Sequence, residues 1–147
     1  MEAEETVRIK VKTRLKEYHD MAVERRFLEK ELKELESQIS SLGSPNMDGM
    51  PKGRSISDPT AKNAVGSVAL QTLYRERLQQ IQMEQTDVER MIEGLSAKER
   101  VLMRLRYIKG RDWAEICELM NYSWTHVHRI HGIVLKKLIA QEMRKMV

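Results

Sequence analysis

Apolar residues recur with a helical period along most of this chain. Between Tyr18 and Leu42 they fall at Tyr18, Met21, Leu28, Leu32, Leu35, Ile39 and Leu42, in steps of three and four once Arg25 is counted as the one polar residue in the seam. That spacing lines them up on one side of a helix. The intervening "ERR", "EKE" and "KELE" solvate the other side and put opposite charges one turn apart. Residues 1–42 are therefore expected to be an N-terminal amphipathic helix whose stripe must be buried.

The pattern stops at residues 43–62, "GSPNMDGMPKGRSISDPTAK", which hold all three prolines and three of the seven glycines. This stretch reads as a linker. At its exit, "SDPT", Ser57 or Asp58 can cap a new helix that carries Pro59 at its first position. A second helical pattern runs from roughly Pro59 to Glu93, with 63–93 as a connecting helix. Leu70, Leu73, Tyr74, Leu78, Ile81, Val88, Met91 and Ile92 lie on its broad apolar side, and Arg77, Glu84 and Gln85 interrupt it. Folding 18–42 back on 63–93 as a hairpin buries both stripes. Pairing of two copies of the chain through 18–42 satisfies the same pattern, as a coiled coil.

Residues 94–147 change period again, into short helices. Ser96 with Glu99 three residues on is a capping box for a helix over Ala97–Tyr107, expected to bury Val101, Leu102 and Leu105 and to expose Arg100, Arg104 and Arg106. "KGRD" turns the chain, and Asp112 caps a helix over Trp113–Met120 with Trp113, Ile116 and Met120 inward. Asn121 suits a left-handed turn position. Ser123 then caps a long last helix with Val127, Ile130, Val134, Leu135 and Leu138 inward. Cys117 is assigned to packing where the last two helices cross. Two helices joined by a three-residue turn, the second polar and aromatic on its outer side, form the helix-turn-helix pattern. The fold class is all-α: a helical hairpin or coiled-coil front half joined to a helix-turn-helix domain over 94–147.

Charge sharpens this picture. Residues 94–147 carry eleven of the 26 Lys and Arg and five of the 22 Asp and Glu, so the net +4 is concentrated in the last third. That favours a polyanionic partner for this segment. No apolar run is long enough to span a membrane, the first residues lack the apolar core of a secretory signal, and the lone Cys117 suits a reducing compartment. A cytoplasmic protein is expected. There is no nucleophile–base pairing, phosphate-binding glycine loop or acidic metal cluster, so neither an enzyme nor a cofactor is expected.

Residues 95–138 resemble region 4 of sigma-70-type RNA polymerase sigma factors. The resemblance rests on "LSAKERVLMRLRY", "WAEICELM", and the spacing of Ser123, Val127, Ile130, Leu135, Lys137 and Leu138. The layout of leading helix, "DGMPKG" linker and region-4-like end is similar to small phage-encoded regulators of Gram-positive hosts, including late-gene regulators of the ArpU type. That similarity would place the protein in a bacterial host cell. The resemblance implies double-stranded DNA as partner, with Trp124, Thr125, His126, His128 and Arg129 facing base edges in the major groove and Arg129 directed at guanine. It implies phosphate contacts from Ser123, Arg104, Arg106, Arg111, Lys136 and Lys137. Sigma factors often carry arginines where this chain has Trp124 and His126, so a site other than the −35 promoter element is expected.

The cluster His126, His128 and His131 admits a metal reading, which the sequence disfavours. Zinc wants about four converging ligands, whereas His126 points away from His131 on a helix and no carboxylate lies near. Reading of DNA suits the outer imidazoles better, and His131 divides evenly between that face and packing. Two other functions fit the same pattern. One is a DNA-packaging protein like a phage small terminase subunit, which ring assembly would mark. The other is a polymerase-binding regulator whose DNA contact is incidental. RNA polymerase is thus a second expected partner, and another copy of the chain a third.

Overall fold

The computed structural model describes residues 2–43 and 59–146, and among these it contains five α-helices and no strand. They are α1 (Glu2–Gly43), α2 (Pro59–Glu93), α3 (Ala97–Met103), α4 (Trp113–Met120) and α5 (Trp124–Lys145). The all-α expectation holds. The expected linker 43–62 is helical at Gly43 and again from Pro59. Residues 44–58, including the expected caps Ser57 and Asp58, lie outside the described residues, as does the Leu42 side chain.

The chain forms two compact units, residues 24–82 and residues 1–23 with 83–147. In the first, α1 and α2 make an antiparallel hairpin. Leu28, Leu35 and Ile81 are buried, and Leu32, Ile39, Tyr74 and Leu78 are half-buried. Arg77 grips Glu24 through Nε (3.2 Å) and a terminal nitrogen (2.8 Å), and Arg75 reaches Glu36 at 3.0 Å. The Arg77 hydrogen bond holds the Glu24 carboxyl below its ordinary pKa. Leu70 and Leu73, expected on the buried side of α2, are exposed.

The second unit has one continuous core. Val7, Val11, Leu15 and Tyr18 of α1 enter it with Val88, Met91 and Ile92 of α2, and Leu95 follows. Leu102 and Met103 of α3, Ile116 of α4, and Val127, Ile130, Val134, Leu138 and Ile139 of α5 complete it. The apolar stripe of α1 thus begins at Val7, well before the expected start at Tyr18. The spacing of 7, 11, 15 and 18 is helical, but lysines and arginines crowd it in sequence. Tyr18 Oη donates to Glu89 at 2.8 Å, tying α1 to α2 within this core. Each large side chain removed from water here contributes about 1.5–3 kcal/mol of transfer free energy.

Local caps fall where the residue types require them. The Ser96 N–H donates to Glu99 at 3.0 Å, the Glu115 N–H to Asp112 at 2.8 Å, and the His126 N–H to Ser123 at 3.2 Å. The helix expected over Ala97–Tyr107 is different in its second half. After Met103 the chain makes a wide π-helical turn over Arg104–Ile108, closed by the Lys109 N–H on the Arg104 carbonyl at 2.8 Å. Within α3, Met103 is fully buried whereas Val101, expected inward, is 48% exposed. The core therefore takes the 102/103 side of this helix. Gly110 follows with φ +69°, and a Cβ there would come within 3.1–3.3 Å of the His19 ring. Glycine satisfies both the backbone and the close approach of α1.

Candidate nucleic-acid interface

The site is built from α4, a three-residue turn and α5. Asn121 leaves α4 at φ 60° and ψ 44°, the left-handed conformation that asparagine tolerates. The Tyr122 N–H returns to the Cys117 carbonyl at 3.1 Å, which closes the turn. Cys117 itself packs against the core. Ser123 then caps α5, so the first turn of that helix is fixed at the point where its outer face begins.

That outer face is set by helical spacing. Val127, Ile130, Val134 and Leu138 go inward, so Thr125, Arg129, Gly132 and Lys136, spaced four, three and four, go outward. Thr125, Arg129 and Lys136 are exposed, and Ile133 beside them is 46% exposed. Nothing in the chain lies within 4 Å of a Cβ at Gly132, so the middle of this face is open. Ile133 is an addition that sequence reading missed; counting one step beyond Arg129 along the face finds it.

The basic residues divide into two groups. Arg104 binds Glu89 at 2.9 Å and Glu93 at 3.1 Å. Arg106 lies over the Trp113 ring, 4.5 Å from its centroid, and donates to the Arg111 carbonyl at 3.2 Å. Arg111 pairs with Glu115 at 3.3 Å, and Lys137 holds both oxygens of the buried Glu99 at 2.7 and 2.9 Å. The Lys137 hydrogen bond keeps the Glu99 carboxyl below its ordinary pKa, against the cost of burial. Four residues expected at phosphates are thus engaged inside the chain, and Lys137 and Arg104 most firmly. The acids that hold Arg104 and Lys137 are 11 to 38 residues away in sequence, which explains why spacing alone did not find them. Arg129 and Lys136 are exposed, as is Ser123 at the helix N-terminus.

All three histidines make ring contacts within the chain. His126 stacks on Tyr122 with centroids 4.4 Å apart, and Lys98 lies 5.7 Å over the same Tyr122 ring. His131 is a packing residue: its Nε2 and the Tyr107 hydroxyl are 2.6 Å apart, and burial drives its pKa down to about 4, helped by His128, Arg106 and Lys12. His128, expected at a base edge, makes ring contacts within the chain. It sits between Trp113 and Trp124, 4.5 Å from each ring, with Nε2 buried and unbonded. The expected base reader is a wedge between two indoles. Trp124, by contrast, is 56% exposed at the first position of α5.

A helix capped by serine, presenting threonine, arginine and lysine outward after a left-handed turn, is the arrangement by which a helix-turn-helix enters a major groove. No described helix is long and apolar enough to cross a membrane. No curated protein and no solved structure matches the chain. The family model described as Sigma-70, region 4 matches residues 85–129, from the last turns of α2 to Arg129. This part of the chain is therefore a helix-turn-helix similar to sigma-70 region 4.

Proposed function

We propose that the protein is a sequence-specific transcriptional regulator that reads double-stranded DNA with the outer face of α5. The observation that carries this is the division of basic residues: Arg129 and Lys136 stand exposed on one helix face, while Arg104, Arg106, Arg111 and Lys137 have partners within the chain. Arg129 is the base reader, its fork matched to the two acceptors of guanine, with Thr125 beside it. Ser123 and Lys136 contact phosphate. A phage origin and docking to RNA polymerase extend this reading and rest on the sequence resemblance. Pairing of two chains through 18–42 has less room, because Leu28 and Leu35 of that stripe are already buried within one chain.

The test is selection of duplex DNA from a random pool by the purified protein and by Arg129→Ala. The expected outcome is a defined motif, with affinity falling roughly 10- to 100-fold and specificity relaxing at one base pair in the variant. Binding without sequence preference would overturn the reading and move polymerase docking to the front.

A further inference from the structure

Four groups form a continuous stack that ends on the reading helix. Arg106 lies over Trp113, His128 packs on Trp113, and Trp124 packs on His128; each step is 4.5 Å. The two ring pairs are tilted by 45° and 46°. His128 Nε2 is buried without a hydrogen-bond partner, so on that side the imidazole is held by packing against the indoles. Trp113 is anchored against the hydrophobic core and also meets the His131 ring edge-on at 4.8 Å. The stack therefore has a fixed inner end. Its outer end, Trp124, is 56% exposed and is the first residue of α5, next to Thr125 and five residues before Arg129.

An indole packed against His128 there loses little rotamer freedom on binding. It offers an apolar surface at the start of the helix, beside the polar Thr125 and Arg129. In a duplex the base faces are stacked and out of reach, and the base edges in the major groove carry one apolar group, the C5-methyl of thymine. From this we infer that Trp124 is a specificity-determining residue for a 5-methylpyrimidine in the operator, with His128 and Arg106 as its positioning residues. This rests on the DNA-reading role of α5. It gives Arg106 a task other than phosphate contact and accounts for an exposed tryptophan that core packing leaves unused.

The experiment replaces thymine by uracil, one position at a time, in the selected duplex and measures affinity for the full chain. Loss of one methyl at the contacted position should weaken binding roughly 3- to 10-fold. In Trp124→Ala the thymine and uracil duplexes should bind alike; in Arg129→Ala overall affinity falls but the thymine-to-uracil ratio persists. His128→Ala should reduce that ratio while Trp124 remains present, which separates positioning from contact. Thermal melting of each variant confirms that it is folded, and Trp124→Phe should retain part of the ratio. If the wild-type protein binds its motif specifically yet ignores every uracil substitution, the methyl-reading role is wrong and the DNA reading stands. If no motif is selected, both fall.

Discussion

The two units of this chain use the same kind of helix to different ends. In residues 1–23 with 83–147, five helices contribute to one core whose central side chains, including Leu15, Ile92, Leu102, Ile116, Val127 and Leu138, are fully sequestered. In residues 24–82, two helices share a single seam, with Leu28, Leu35 and Ile81 buried and Phe27 and Leu73 left in water. A two-helix layer has an open outer side, so much of each helix stays wet whatever its sequence. The lesson is that amphipathic strength in the sequence does not measure burial: the heptad of 18–42 is the most regular stripe, yet the least regular stretch, 94–147, builds the tighter core.

The comparison is most directly broken by cavities. Leu102→Ala should cost about 3–5 kcal/mol, because a fully buried site on a helix packed against α5 cannot collapse easily. Leu35→Ala, in the thinner hairpin, should cost about 1–3 kcal/mol. Urea unfolding of the two variants checks this; equal losses would show that the units are equally packed.

Ion pairs sharpen it at a smaller scale. Glu99 keeps only 9% of its side-chain surface, so Lys137→Ala leaves a buried carboxylate with only its cap partner. The expected loss is about 1–2 kcal/mol, moderated by the half-exposed lysine. Arg77→Ala in the hairpin removes a pair whose partners are 37% and 40% exposed, and should cost below about 1 kcal/mol. Thermal melting of both proteins at low and high salt measures the contrast, and only the second should be strongly screened.

A comparably small effect is expected in pH. His131 has its pKa lowered from 6.5 to about 4, so the unfolded chain takes up the proton first as pH falls. The stabilisation it gives is full above 6.5 and is lost progressively between 6.5 and about 4. After allowing for the ring's remaining exposure this amounts to roughly 1 kcal/mol. Residues 24–82 contain no histidine. Amide exchange at pH 7 and pH 5, corrected for intrinsic rates, should therefore show the helix-turn-helix unit softening first. His131→Gln should remove that difference; its persistence would point to another group.

Much of the fold was legible in the chain because it is local. A helix cap needs an oxygen within three residues, which Ser96, Asp112 and Ser123 announce with Glu99, Glu115 and His126 at the right spacing. A left-handed turn needs a residue such as Asn121, and the outer side of a helix follows from steps of three and four, which leave Thr125 and Arg129 exposed. Tertiary structure alone decided the fate of the charges and rings. Whether an arginine is free depends on which acid folds beside it, and Glu89 and Glu99 arrive from other helices to occupy Arg104 and Lys137. His128 looked like a reader because its outward spacing is right, but Trp113 from α4 covers it. The register change through the π-helical turn and the contribution of Val7, Val11 and Leu15 belong to the same class. Backbone preferences are set within a few residues, whereas exposure is a property of neighbours that the chain brings together only when it folds.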